Sequence, residues 1–137
     1  MRPSIKYRSG YKYQILEAYT CATRIFPGKD ITTPWIRLNT AGMITIKKGF
    51  AWDGPSGPTF DTKTFMRGSL VHDALYQLIR DGHLEPSSKA RADELIREMC
   101  LEDGMGQARA WWVYQAVSRF GASSTMPSGG KSVEIAP

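Results

Sequence analysis

The chain has 137 residues, 42% of them hydrophobic and 23% charged, which is the composition of a soluble globular protein. This length supports a single domain with a core of its own, and the uncharged apolar runs are too short to cross a membrane. The formal net charge is +5, but the basic residues are scattered and not interleaved with aromatic residues, which argues against a specific nucleic-acid site.

The N-terminal half has the composition of β-strands. The segment Tyr11 to Thr20 is rich in aromatic and other strand-forming residues. The segment Trp35 to Phe50 contains two alternating runs around a turn at Asn39 to Gly42. These patterns predict antiparallel hairpins with one face buried in the core. The glycines and prolines between Phe50 and Thr64 predict a shaped loop without regular structure.

The C-terminal half changes to helical periodicity and predicts three helices. The first helix is expected to end at Gly82, because glycine commonly terminates helices. The second begins where Ser87 or Ser88 can cap it and ends at Gly104. The third ends at Gly121. The short connection between the first two helices predicts that they form an antiparallel helical hairpin.

The predicted fold class is α+β, with N-terminal antiparallel β-hairpins or a small sheet followed by the three helices. Residues 1–121 are predicted to form a single domain. Residues 122–137 are small, polar and rich in glycine and proline, which predicts a flexible C-terminal tail that becomes ordered on a partner.

An ionisable pair, His72 and Asp73, interrupts the apolar pattern of the first helix. Because an unpaired charge is costly to bury, the pair must be satisfied locally or have a chemical role. At helical spacing His72 shares a face with Tyr76, and Asp93 has a similar border position on the second helix. A helical hairpin can therefore bring His72, Tyr76 and Asp93 together. The carboxylate would orient the imidazole and leave its second nitrogen to act as a base on water.

Asp73 turns to the other side of the helix and is predicted to face the glycine-rich loop. There Asp53 and the backbone carbonyls around Gly54 and Gly57 would complete an oxygen cage for Ca²⁺, since hard cations prefer carboxylate and carbonyl oxygens.

Purely structural interpretations of the same residues stay open. His72, Tyr76 and Asp93 can fix the register of two packed helices without any chemistry, and the loop can serve only to turn the chain from sheet to helix. Trp111 and Trp112 are predicted to be core or interface anchors rather than ligand contacts.

Four stretches of the chain resemble a known family. They are KKGFAWDGPSGPTFD, LVHDALYQ, RADELI and VYQAVSRFG. Together they are similar to the family called domain of unknown function 1353, whose members are small proteins typical of phages and prophages. The resemblance extends over Tyr11 to Gly121, although the loop lacks an arginine that the family usually carries. It implies a phage context and no particular activity.

A second resemblance rests on the sequence HDALY and on Asp93 in the following helix. Together they are similar to the catalytic helix pair of the prokaryotic-type secreted phospholipases A2. The resemblance implies that His72 and Asp93 form a catalytic dyad and that Asp73 binds Ca²⁺ with help from Asp53. Those enzymes are secreted and stapled by disulfides, whereas this chain has two cysteines and no readable export signal.

Three functions from different classes therefore stay open. The phage resemblance favours a virion structural or assembly component, such as a tail, neck or decoration protein, whose partners are other virion proteins or copies of itself. The His-Asp pair and its loop favour a Ca²⁺-dependent phospholipase or esterase, the one function of the three that implies membrane lipid as a partner. Small size and basic charge favour a phage accessory factor that binds a host protein. Synthesis is expected in the host cytoplasm, followed by incorporation into the virion if the first function holds.

Overall fold

In the computed structural model, which describes Ile5, Tyr7–Arg8 and residues 13–52 and 62–120, short strands precede three helices. The strands are β1 (Tyr7–Arg8), β2 (Tyr13–Ile15), β3 (Tyr19–Ala22), β4 (Ile31–Thr32), β5 (Ile36–Leu38), β6 (Met43–Ile46) and β7 (Ala51–Trp52). The helices are α1 (Thr62–Arg80), α2 (Ser88–Glu102) and α3 (Gln107–Phe120). The predicted α+β class is confirmed. The predicted tail, residues 122–137, lies outside the described residues, and the single-domain assignment of residues 1–121 stays a prediction.

The described strands form two antiparallel sheets. One sheet has the strand order β1, β2, β7, and the other has the order β3, β6, β5, β4. The predicted hairpin is formed by β5 and β6, where Ile36 lies opposite Ile46 and Leu38 opposite Ile44. These four side chains are fully buried. The side-chain oxygen of Asn39 accepts hydrogen bonds from two backbone N–H groups that follow it, which fixes the turn.

The strand-rich segment Tyr11 to Thr20 contributes to both sheets, because the chain bends at Leu16 and Glu17 and passes from β2 in one sheet to β3 in the other. One predicted limit in the N-terminal half is wrong. The loop predicted after Phe50 begins with β7, which pairs with β2. The glycines and prolines that exclude a strand start only at Gly54, so the residues before them are free to pair.

The helices end near the predicted residues. After Arg80, Gly82 has a φ of +83°, a conformation that residues with a side chain rarely adopt. Gly104, with a φ of +97°, follows α2 in the same way. The predicted capping is wrong: Ser87 occupies the N-cap position of α2 in a helical conformation and makes no side-chain capping bond. Among the described residues, no helix combines the length and the hydropathy needed to span a bilayer.

Among the residues that the structure describes, the core consists of two clusters. The larger joins both sheets to α1 and α2, and the smaller packs α3 against α2. The buried side chains of the smaller cluster are Ile96, Cys100, Met105, Ala110 and Val113. Cys21 and Cys100 are both buried, and neither forms a disulfide. Few apolar side chains hold α3, so its attachment depends in part on polar contacts.

The helices α1 and α2 run antiparallel and approach closely. Arg67 near the start of α1 pairs with Glu102 at the end of α2, whereas Tyr76 further along α1 meets Asp93 in the middle of α2. This order confirms the predicted helical hairpin. A Cβ atom placed on Gly68 would lie 3.1 Å from Ile96 Cγ1 and 3.2 Å from the Ile96 carbonyl oxygen. Glycine at this position therefore sets the distance between the two helices.

Replacing Gly68 with valine is expected to lower the free energy of unfolding by about 1–3 kcal/mol, because the added atoms must push the α2 backbone away. The measurement is urea denaturation followed by circular dichroism. Gly28→Val is the matched control, since a Cβ at Gly28 meets nothing within 4 Å. Equal stabilities of the two variants would contradict the close approach of the helices.

A buried arginine that sequence reasoning missed also joins α1 to the end of α2. Arg67 is 4% exposed. Its Nη2 atom lies 2.8 Å from Glu102 Oε1 and 2.8 Å from Asp103 Oδ1. Its Nη1 atom lies 3.4 Å from the hydroxyl oxygen of Tyr19 in β3. Arg67 thus connects both helices of the hairpin to the four-stranded sheet.

Candidate functional site

The helical hairpin brings the three predicted site residues together. His72 and Tyr76 are one turn apart on α1, and both face Asp93 on α2. The Nε2 atom of His72 lies 2.8 Å from Asp93 Oδ1, and the Tyr76 hydroxyl donates a hydrogen bond to the same oxygen. His72 is 5% exposed and Asp93 is 1% exposed. The predicted hydrogen bonding of His72, Tyr76 and Asp93 is confirmed, whereas their catalytic role stays a prediction.

A fourth member of the cluster, Lys89, was missed by sequence reasoning. Its Nζ atom lies 2.8 Å from Asp93 Oδ2, so both carboxylate oxygens are bonded. The same ammonium lies 3.3 Å from the carbonyl oxygen of Val117 and 3.2 Å from that of Ser118, both in α3. The separation of Lys89 and Asp93 by one helical turn was the available signal. Lys89 therefore neutralises Asp93 and connects the cluster to α3.

The surroundings of Asp93 keep it ionised. Burial alone raises the pKa of Asp93, but hydrogen bonds from His72, Lys89 and Tyr76 outweigh burial and hold the pKa below its ordinary value. Burial and the neighbouring Asp93 carboxylate raise the pKa of Tyr76, which therefore stays a neutral donor. The carboxylate thus accepts three hydrogen bonds and donates none.

The ionised carboxylate fixes the tautomer of His72. Because Asp93 can only accept, Nε2 of His72 must carry the proton, and Nδ1 of the neutral ring has a free lone pair. Nδ1 lies 3.8 Å from Asp73 Oδ1, and the side chain of Asp73 is 40% exposed. Burial lowers the pKa of His72, but Asp73 and Asp93 together outweigh burial, so the pKa is raised. The ring nitrogen that does not contact Asp93 therefore faces a partly exposed carboxylate.

The predicted Ca²⁺ ligands are only partly within the described residues. Asp73 has an accessible carboxylate, whereas Asp53, Gly54 and Gly57 lie outside the described residues. In the part of the chain that the structure describes, no three His, Cys, Asp or Glu side chains are grouped to hold a metal ion. The described residues thus do not form a calcium site by themselves, and the predicted site stays a prediction.

A depression of about 1010 Å³ lies away from this cluster. It is bordered by the connection between β3 and β4 and by the connection between α1 and α2, and its lining residues include Arg24, Phe26, His83 and Arg91. Arg91 is held by Glu98, with N–O distances of 2.7 and 3.1 Å. His72 and its partners do not line this depression, so the two features are separate.

Comparison with known proteins identifies the family. No curated protein and no solved structure matches the chain, so the resemblance of the helix pair to phospholipases A2 stays a prediction. The phage context and the virion role also stay predictions. Residues 31–117, which include α1 and α2 in full, match the family model described as Protein of unknown function (DUF1353). Because this match covers more than half of the chain and agrees with the expected resemblance, the chain belongs to the DUF1353 family.

Proposed function

We propose that the chain is a hydrolase of carboxylic esters in which His72 is the general base. The observation that carries the proposal is the position of the imidazole ring. Its Nε2 atom is held 2.8 Å from Asp93 Oδ1, and its Nδ1 atom is directed to the partly exposed Asp73. A general base needs this combination of one orienting partner and one available nitrogen.

The proposed reaction needs one water molecule and one ester. A water molecule donates a hydrogen bond to Nδ1 of His72, and its oxygen attacks the ester carbonyl carbon as the proton passes to Nδ1. The bond between the carbonyl carbon and the alcohol oxygen then breaks. Nδ1 returns the proton to the departing alkoxide, so that the products are a carboxylic acid and an alcohol. The imidazole is regenerated in its starting tautomer.

The other members of the cluster position and stabilise the base. Asp93 stabilises the positive charge that His72 carries after it takes the proton. Tyr76 and Lys89 hold the two oxygens of Asp93 in place. These three residues are positioning residues, because none of them needs to touch the ester. A Ca²⁺ ion bound by Asp73 with Asp53, Gly54 and Gly57 would supply charge stabilisation for the ester oxygen.

The test is an assay of the full chain on chromogenic short-chain esters and on mixed micelles of phospholipid, with Ca²⁺ and with a chelator. Hydrolysis that rises with pH through the titration of His72 supports the proposal, because only the neutral imidazole can accept a proton. Absence of hydrolysis in every condition overturns it. A Ca²⁺ requirement would in addition support the predicted metal site.

The ionisation of His72 can be measured without turnover. In wild type we expect the pKa of His72 to lie above the ordinary value of about 6.5, because the two carboxylates outweigh burial. The substitution Asp73→Asn removes one of the two negative charges, so the pKa should fall, and the neutral base should form at lower pH. The measurement is an NMR titration of the imidazole protons in buffer that contains a chelator.

The chain offers a matched control for this titration. It has two histidines, and the second, His83, is exposed in the connection between α1 and α2. Asp81→Asn is the control for loss of an exposed carboxylate close to the end of α1. A His72 pKa that is unchanged or raised in Asp73→Asn would contradict the proposed charge interaction.

A further inference from the structure

The outer face of α3 exposes two tryptophans. Trp112 is 65% exposed and Trp111 is 44% exposed. Their ring centroids are 5.2 Å apart, and the rings meet edge to face. Exposed tryptophans that are adjacent in space form an apolar surface, and such surfaces commonly mark interaction sites.

This face is also basic. At about 100° per residue, Arg109, Ala116 and Arg119 all project within about 60° of Trp112, and all three are exposed. Ala110 and Val113, which are buried, lie on the other side of the helix. The sequence of α3 contains two arginines and no aspartate or glutamate. The outer face of α3 therefore combines an aromatic centre with positive charge.

The positive charge of the outer face of α3 favours an anionic partner over a second copy of the chain. Two copies that met through this face would bring the exposed Arg119 of each chain against another basic face, without a carboxylate from either α3. An anionic surface would instead attract the positive charge of Arg119. The tryptophan rings suit a lipid headgroup region in particular, because an indole is apolar with one polar N–H and is favoured at the boundary between water and hydrocarbon. Arginine side chains at such a boundary extend their charge toward phosphate groups.

The same helix is bonded to the candidate site. Lys89, which neutralises Asp93, lies within 3.3 Å of the carbonyl oxygens of Val117 and Ser118. The Tyr76 hydroxyl lies 3.4 Å from the carbonyl oxygen of Val117. A partner surface bound to the outer face of α3 would therefore be separated from the His72 cluster by α3 alone.

We propose that the outer face of α3, centred on Trp112 with Arg109 and Arg119, binds the surface of an anionic phospholipid bilayer.

The first experiment measures binding without turnover. The full chain is sedimented with vesicles of ether-linked phosphatidylcholine, with and without ether-linked phosphatidylglycerol, because these lipids contain no ester at the acyl positions. We expect binding to the anionic vesicles that weakens as salt concentration rises. Trp112→Ala should weaken this binding about tenfold or more, since it removes one large apolar side chain from the lipid contact. Arg119→Glu should weaken it as well.

Phe26→Ala is the matched control, because Phe26 is 66% exposed and lies in the connection between β3 and β4. Binding that Phe26→Ala leaves unchanged and Trp112→Ala weakens supports the proposal. Absence of binding to anionic vesicles, or equal binding by the two variants, overturns it. A dimer in size-exclusion chromatography that Trp112→Ala dissociates, together with no vesicle binding, would identify the face as a contact between copies and would also overturn it.

The second experiment separates this inference from the proposed function. His72→Asn should bind the ether-lipid vesicles as wild type does, because His72 is buried on another helix. Vesicle binding without hydrolysis of any soluble or lipid ester would leave the surface established and the proposed function overturned. Hydrolysis of soluble esters without vesicle binding would support the proposed function and overturn the bilayer surface.

Discussion

Replacing Asp93 with alanine is expected to lower the free energy of unfolding by about 3–5 kcal/mol, the range for removal of one partner of a buried ion pair. Asp93 is 1% exposed, and it accepts hydrogen bonds from His72, Tyr76 and Lys89. The substitution would leave three donors without their acceptor, one of them a largely buried ammonium. Urea denaturation at constant pH measures the effect.

Two further variants serve as comparisons for Asp93→Ala. Glu94→Ala removes the carboxylate that follows Asp93 on α2, and its side chain is 58% exposed, so its effect should stay within about 0.5 kcal/mol. Asp93→Asn keeps an acceptor oxygen and should cost less than Asp93→Ala. If Asp93→Ala were no more destabilising than Glu94→Ala, the cluster would contribute nothing to the packing of α1 against α2.

Replacing His72 with asparagine is expected to lower the rate of ester hydrolysis by about 10²–10⁴-fold, the usual contribution of a general base. The protein should remain folded, because Asp93 keeps Tyr76 and Lys89 as donors. The stability cost is that of one lost buried hydrogen bond, about 1–3 kcal/mol. Steady-state kinetics give the first quantity and urea denaturation gives the second.

His83→Gln is the control for loss of an imidazole, since His83 is exposed and lies outside the cluster. It should retain the wild-type rate. A His72→Asn variant that is folded and as active as wild type would show that His72 is not the base. If the wild type hydrolyses nothing and the variant is merely less stable, the cluster acts only to fix the register of two helices.

The helical hairpin and its cluster were predictable because the relevant spacings are local. His72 and Tyr76 are one turn apart, the apolar pattern of α1 is strong, and Gly82 limits the connection to α2. When the two helices pack antiparallel, a residue at the border of the apolar face of α2, such as Asp93, lies against α1. Lys89, the third donor to Asp93, lies one helical turn before it on α2, so this part of the site was also open to prediction.

Other features depend on contacts between distant parts of the chain. Arg67 bonds residues 35 and 36 positions later in the chain, and nothing in its own surroundings in the sequence predicts that it is buried. Strands β4 and β7 have two residues each, which is too short for alternation to be recognised. The assignment of β2 and β3 to different sheets depends on the strands with which each one pairs. The sequence of β2 and β3 alone does not specify those partner strands.

Lys89 also affects the end of α3. The last four carbonyl groups of a helix have no partner within the helix and carry partial negative charge, and Val117 and Ser118 belong to the final turn of α3. A cation from α2 therefore serves as a C-terminal cap for a neighbouring helix. Acetylation of Lys89, or any change that removed its charge, would weaken the capping contacts at the end of α3. It would also leave the negative charge of Asp93 without its neutralising ammonium. The orientation of α3 and the ionisation of the buried cluster are thus coupled through one side chain.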